Sequence, residues 1–276
     1  MKIWLYSHLV DSPGNRLFFD EATRRGHEVV EVRPDLTHWP LSGSTEERPD
    51  LVFTRSGSSS PANALPGLIT LEQAGLLCIN SSQSLLFSRD KAISYSLLAR
   101  AGVPVPRSVY LGRGPVGEAA AQIPGPPWIV KLPVSTKGQG IVLVESMRSL
   151  RSLVDTLHAL DQTMILQEFV ASAAGCDTRV LVLGGQAVVA AKRQAGQGDE
   201  FRSNLFLGGQ ATGLELSSQW RLVAEKAAET LGLEVAGVDL LEGPAGPLVV
   251  EVNGSPGMTA ASDIAPRIVS YLEGRC

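Results

Sequence analysis

Val238-Asp239-Leu240, a gap of Glu242-Gly243-Pro244-Ala245-Gly246-Pro247, then Leu248-Val249-Val250-Glu251-Val252-Asn253: two apolar runs around turn formers read as an antiparallel hairpin. Side chains alternate faces along a strand, so Glu251 and Asn253 share one face and Val250 and Val252 the other. A hairpin centred near Ala245 puts Asp239 roughly opposite Glu251. Carboxylates facing each other across strands repel. A divalent cation would remove that cost, and Asp, Glu and Asn oxygens are the hard ligands that Mg²⁺ prefers. A hairpin whose acidic face is simply wet fits the same spacing, which by itself leaves both readings open.

Working outward, the C-terminal part alternates strands (Thr178 to Leu183, Gln186 to Arg193, Val235 to Leu241) with a helix from Ser217 or Ser218 to Gly232. Upstream, Trp128 to Leu132 and Ile141 to Val144 flank a glycine-bearing loop. A helix (Leu150 to Leu160) and a strand (Met164 to Phe169) complete a small α+β lobe. Before it, Ser88 to Arg100 reads as one helix stopped by Gly102 and Pro104, and Arg113 to Pro127 as a loose connection placed as a boundary. The first part alternates strand and helix: Ile3 to Tyr6, Arg16 to Arg25, Glu28 to Val32, Asp50 to Thr54. That pattern predicts an open α/β lobe, with ligands at strand C-termini. The antiparallel hairpins argue against one doubly wound sheet throughout.

The 276 residues can bury a sizeable core. With 44% hydrophobic and 19% charged residues the composition is ordinary globular, and a net charge of −4 excludes a chain built to coat nucleic acid or an anionic membrane. Cys78, Cys176 and Cys276 are odd in number and outside any CxxC pattern, as expected in a reducing cytosol. His8, His27, His38 and His158 lack metal-ligand spacing. The N-terminus enters a strand pattern without a cleavable apolar region, and no apolar run approaches transmembrane length. A cytoplasmic protein, engaging neither membrane nor nucleic acid, is expected.

Other residues carry chemistry only in combination. Lys131 ends a strand before Ser135-Thr136-Lys137-Gly138-Gln139-Gly140. GxxxxGK[ST] is absent, and no helix or third glycine makes a dinucleotide fingerprint. A hairpin lid whose Gly138 and Gly140 let backbone N–H groups approach phosphate is one reading, an ordinary turn the other. Gln167-Glu168-Phe169-Val170 reads as a strand edge able to hydrogen-bond a purine, with Asp177 near for ribose. Lys192-Arg193 and Phe201-Arg202-Ser203-Asn204 form a cationic cluster that solvated surface would also explain.

Taken in order, these segments resemble the RimK-like ATP-grasp ligases, typified by the ligase that adds glutamate to a ribosomal protein's C-terminus. The resemblance runs from roughly Ser88 to Arg267. It rests on Arg89-Asp90-Lys91, Val130-Lys131 with the Thr136 to Gly140 loop, Gln167-Glu168-Phe169, Gly175-Cys176-Asp177-Thr178-Arg179, Phe201 to Leu205, Val235 to Asp239 and Glu251-Val252-Asn253-Gly254-Ser255-Pro256-Gly257. Thr54-Arg55-Ser56-Gly57 carries a looser likeness in the first part. It implies an ATP-grasp fold: an N-terminal α/β lobe (1–87), a central α+β lobe (88–169) and a C-terminal α+β lobe with the metal site (170–276), the latter two sandwiching the nucleotide. Lys91, Lys131, Gly138, Gly140, Lys192 and Ser203 are then expected at ATP, with Gln167, Glu168, Phe169 and Val170 at adenine and Asp177 at ribose. Asp239, Glu251 and Asn253 would carry Mg²⁺, with Mn²⁺ as a substitute. Arg179, Arg202 and Asn204 would face the reacting groups, and Arg55, Ser56 and Gly57 the substrate.

The implied activity is an ATP-dependent carboxylate–amine ligase. Phosphoryl transfer gives an acyl phosphate, an amino acid such as glutamate displaces phosphate, and ADP and phosphate leave. The acceptor is a small molecule, a peptide or a protein, and relatives imply a homo-oligomer. Catalysis of the first step is positioning and charge neutralisation, and no Ser/His/Asp or Cys/His set is visible. Two departures bear on the acceptor: the segment Met258 to Ile264 is short and nearly uncharged, and the loop Pro133 to Lys137 is more apolar and basic than usual in the group. A phosphotransferase acting on a hydroxyl, or a nucleotide-binding regulator, are the alternatives.

Overall fold

In a computed structural model, residues 1–41, 48–57, 59–61, 63–135, 138–195, 210–258 and 263–276 are described. The first part contains β1 (Lys2–Tyr6), α1 (Pro13–Arg24), β2 (Glu28–Val32), β3 (Leu51–Thr54), α2 (Ala64–Gln73), β4 (Cys78–Ile79) and α3 (Ser82–Arg89). Its four strands form a parallel sheet in the order β2-β1-β3-β4. Ser12 caps α1, accepting from the Asn15 N–H, and Pro13 opens the helix, where its missing N–H costs nothing.

The middle part contains α4 (Lys91–Arg100), β5 (Ser108–Leu111), α5 (Val116–Ala120), β6 (Trp128–Lys131), β7 (Ile141–Val144), α6 (Met147–Ala159) and β8 (Met164–Glu168). Its antiparallel sheet has the order β5-β8-β6-β7. The last part contains β9 (Cys176–Leu183), β10 (Gln186–Gln194), β11 (Gln210–Gly213), α7 (Ser218–Thr230), β12 (Val235–Gly243), β13 (Gly246–Asn253) and α8 (Ile264–Glu273). Its antiparallel sheet has the order β11-β10-β9-β12-β13.

Three expectations are corrected. The single helix over 88–100 is two, because Asp90 breaks it: its carboxylate accepts from the Ala92 and Ile93 N–H groups and starts α4 afresh. The stretch 113–127 is no boundary, since it holds α5, and Ala120 and Ile123 are buried in the core of the middle sheet with Trp128, Leu150 and Leu166. The 167–168 segment is no sheet edge, since β8 lies between β5 and β6.

The apolar core of the middle sheet is its own. The other two cores are each shared between the first and last sheets. Trp4, Tyr6 and Val52 join Val180, Ala236 and Val238 in one, and Leu5, Phe18 and Phe53 join Leu183, Ile268 and Leu272 in the other. Alternation along β9 and β12 makes this possible. Val180, Val182, Ala236 and Val238 cover one face, which leaves Arg179 and Asp239 on the other.

Candidate active site

The polar face of the five-stranded sheet gathers the site. Cross-strand register sets Arg193 opposite Asp177, Arg179 opposite Asp239, Asp239 opposite Glu251, and Gly237 opposite Asn253. Two one-residue bulges make this alignment. The β12–β13 turn lies at Pro244-Ala245, between paired Gly243 and Gly246, and regular counting from there would set Asp239 against Val250. Val250 bulges out of the ladder instead, and Glu251 takes that position. Likewise a bulge at Val188 brings Arg193, not Lys192, opposite Asp177.

Gly237 has a reason of its own. A Cβ there would lie 3.0 Å from Arg179 Nη1 and 2.8 Å from Pro256 Cβ, so a side chain at 237 would crowd Pro256 and press on Arg179 where it lies across β12 toward Asp239. Arg179 grips Asp239 with both Nε and Nη2, the latter at 2.7 Å. Arg193 Nη2 lies 3.0 Å from Asp239 Oδ2 and 2.5 Å from Asp177 Oδ2, and its Nε donates to Asp177 Oδ1 at 2.6 Å. Burial alone would raise the Asp239 pKa, but the two guanidiniums outweigh it and hold the carboxyl below its ordinary value. The Arg193 pKa is raised, since Asp239 and Asp177 overcome its own burial.

The second half of the site comes from the middle part. Lys91 opens α4 because Asp90 breaks the chain there, and its ammonium lies 3.3 Å from Glu251 Oε1 and 3.1 Å from the Ser135 carbonyl. Its N–H donates to the Pro133 carbonyl, so the glycine loop is tied to the acidic ribbon through one residue. Lys131 closes β6, buried, with Nζ 3.0 Å from Tyr95 Oη and 5.4 Å from that ring's centroid. Burial lowers its pKa to about 8 against the opposing pull of Glu251. Tyr95 in turn donates to the carbonyl of the bulged Val250 at 2.7 Å. The loop joins β6 to β7 as an antiparallel hairpin, with Gly138 and Gly140 at φ +74° and +67°, a conformation that disfavours side chains.

The remaining expected residues fall as follows. Gln167 is buried, donating to Ser108 Oγ, and the Glu168 carboxylate accepts from the Arg107 N–H at 2.8 Å. Phe169 and Val170 follow at the end of β8. Lys192 is exposed, on the strand face opposite Arg193. Arg202, Ser203 and Asn204 lie outside the described residues. Arg55 and Ser56 are buried at the end of β3, and a Cβ at Gly57 would lie 3.4 Å from Ser255 Cβ, just past Asn253. The sequence reading gave Arg193 no role of its own and did not single out Tyr95. The first needed the bulge, the second a contact between helix and strand 155 residues apart.

Among the described residues no three carboxylate, thiol or imidazole groups converge on one point. The donor set is two carboxylates and an amide on one ribbon. Hard oxygens of this kind suit magnesium, and the cations they already attract (Arg179, Arg193, Lys91) show the local demand for positive charge.

Residues 88–272 match the RimK-like ATP-grasp domain. The chain belongs to the RimK-like ATP-grasp family. A probable alpha-L-glutamate ligase of Klebsiella pneumoniae is 37% identical over 269 residues, covering 92% of this chain and 89% of that protein. The ribosomal protein bS6--L-glutamate ligase of Salmonella schwarzengrund is 36% identical with the same coverage. The fold matches the ATP-grasp ligase PsnB, solved with a phosphomimetic variant of its minimal precursor, Mg and ADP, at a TM-score of 0.75 and 20% identity, over 99% of this chain and 98% of that one. The expected ATP-grasp fold is thus borne out, and the chain is an ATP-dependent carboxylate–amine ligase.

Proposed function

We propose that this ligase joins L-glutamate, through its amine, to a carboxylate of a protein or peptide. The reading rests on the pairing of Asp239 with Glu251, an oxygen ribbon bordered by Lys91, Lys131 and Arg179. It is supported by the glutamate ligases among the relatives and by the peptide ligand of PsnB. Asp239, Glu251 and Asn253 would hold Mg²⁺, which supplies countercharge to the phosphates, and Mn²⁺ would substitute. Lys91, Lys131, Gly138, Gly140 and Ser203 are assigned to ATP, Gln167 to Val170 to the adenine and Asp177 to the ribose, while Lys192, on the face of β10 turned away from Asp177, is dropped from the set.

In this arrangement the Lys131 ammonium meets phosphate oxygens where burial strengthens the contact. Arg179 gives up Asp239 and turns its planar fork to the two oxygens of the reacting group, with Arg202 and Asn204 beside it. The glycine hairpin closes over the nucleotide and keeps water from the acyl phosphate. The amine attacks that carbon, phosphate leaves, and the amine proton passes to a carboxylate or phosphate oxygen.

We further take the lobes to divide at 87/88 and 169/170, the chain to act in the cytoplasm, and the ligase to be a homo-oligomer. Among the described residues no helix is long and apolar enough to cross a membrane. The test is incubation with ATP, Mg²⁺, L-glutamate and peptides of free C-terminus. ADP release with a peptide heavier by one glutamyl residue is expected. No ADP with any amino acid or peptide would refute the reading, and a stable phosphorylated product would replace it with phosphoryl transfer to a hydroxyl.

A further inference from the structure

Arg55 carries a charge that no carboxylate among the described residues neutralises. Its side chain is buried, and its pKa falls to about 10 through burial alone, so it stays cationic at neutral pH. Asn15 Oδ1 accepts from its Nε at 3.0 Å, the Phe53 ring lies 5.9 Å from its guanidinium carbon, and its Nη1 is buried without a partner. Asn15 is itself held, its Nδ2 donating to Ser7 Oγ and the Leu9 carbonyl. The arginine is therefore clamped by Nε with Nη1 left for something else. Ser56 Oγ and Ser60 Oγ, on the same short loop, are also buried and have no partner among the described residues. An uncompensated buried charge is a heavy cost that an apolar side chain would avoid. A ligand anion would remove it.

The place is right for a substrate. The loop follows β3 at the C-terminal edge of the parallel sheet, where such sheets bind ligands. Both its ends lead to the site already described. A Cβ at Gly57 would lie 3.4 Å from Ser255 Cβ, two residues past Asn253, and Arg89 Nη2 donates to the Ser60 carbonyl at 3.1 Å, two residues before Lys91.

We propose that Arg55, with the Ser56 and Ser60 hydroxyls, binds the α-carboxylate of the amino acid that supplies the amine. The assignment rests on the ligase reading above. A carboxylate being activated loses its charge on becoming an acyl phosphate, so a fork gripping it would stabilise the ground state more than the transition state. The amine substrate keeps its α-carboxylate throughout. A buried arginine holding that group loses nothing as the bond forms and aims the amine at the acyl carbon. Nη1 is closed off in this structure, so the loop must shift for the carboxylate to reach it.

The test is calorimetric binding of L-glutamate to the full chain with a non-hydrolysable ATP analogue and Mg²⁺. Arg55→Met should weaken binding by about 30-fold or more, the usual loss when one partner of a buried charge pair is removed. Arg55→Lys, which keeps charge but not the fork, should fall between. Amidating the α-carboxylate should match Arg55→Met, whereas L-glutamine, amidated at the side chain, should keep its Arg55 dependence. Thermal unfolding without ligand separates a structural role: Arg55→Met should melt at the same temperature or higher, and a marked fall in both variants would overturn the proposal. So would binding indifferent to the α-amide, or an acceptor peptide whose binding alone depends on Arg55. Running the common L-α-amino acids singly keeps the two readings apart. Arg55-dependent binding without amide formation would remove the ligase reading and leave the carboxylate site standing.

Discussion

Tyr95 shows how much one hydroxyl can position. It accepts from the Lys131 ammonium and donates to the carbonyl of the bulged Val250, next to Glu251, so it braces the phosphate-side cation against the acidic ribbon. Tyr95→Phe keeps the ring and removes that brace. A hydrogen bond to a charged group contributes roughly 1.5 kcal/mol, so kcat/KM for ATP should fall about tenfold with the far-ultraviolet circular dichroism unchanged. Lys131 itself gives a pH signature. Its folded pKa of about 8 lies below the ordinary 10.5, so between those values the unfolded chain binds more protons and stability rises with pH. Phosphate binding needs the ammonium, so kcat/KM for ATP should fall over the same window. Opposite slopes of melting temperature and kcat/KM above about pH 8 are expected, and Lys131→Met should flatten the first. Parallel slopes would refute this account of Lys131.

At the scale of elements, the glycine hairpin between β6 and β7 is the part whose conformation can be tested most directly. Gly140 sits at φ +67°, and a Cβ there would meet the Leu132 side chain at 3.0 Å. Gly140→Ala should cost about 1–2 kcal/mol in that hairpin, the usual penalty for a side chain in the left-handed region. Hydrogen exchange should quicken there while the amides of β9 and β12 keep their protection, and ATP should bind more weakly. The hairpin strands were legible from alternation and turn residues, whereas the expected Asp239–Glu251 pairing is made only by the Val250 bulge. The split of α3 from α4 was not legible, because no glycine or proline marks it and an interior Asp costs a helix only a fraction of a kcal/mol, about 0.7 at most, so only the chain's path decides. Arg193 was hidden for a related reason: a bulge shifts every later side chain by one position, and Val188 carries no residue signature of a bulge.

For the whole molecule, Asn80 joins the first sheet to the last. Buried at the end of β4, it donates to the carbonyls of Val235 and Gly254 and accepts from the N–H groups of Glu234 and Val235. Asn80→Ala should leave buried backbone groups unpaired at the root of β12 and just past Asn253. The expected loss is about 3 kcal/mol, or a melting temperature lower by on the order of 5–10 °C for a chain of this size. An unchanged melting temperature would mean that water replaces the amide. Sequence alone determined most of the strands, the oxygen ligands on one ribbon, and the family, since each is written in local periodicity and in residue order. Tertiary structure decided which cations face those oxygens and that Arg55 is buried without a countercharge among the described residues. Bulges, burial and contacts between distant segments are set by packing, and packing leaves no periodic trace in the chain.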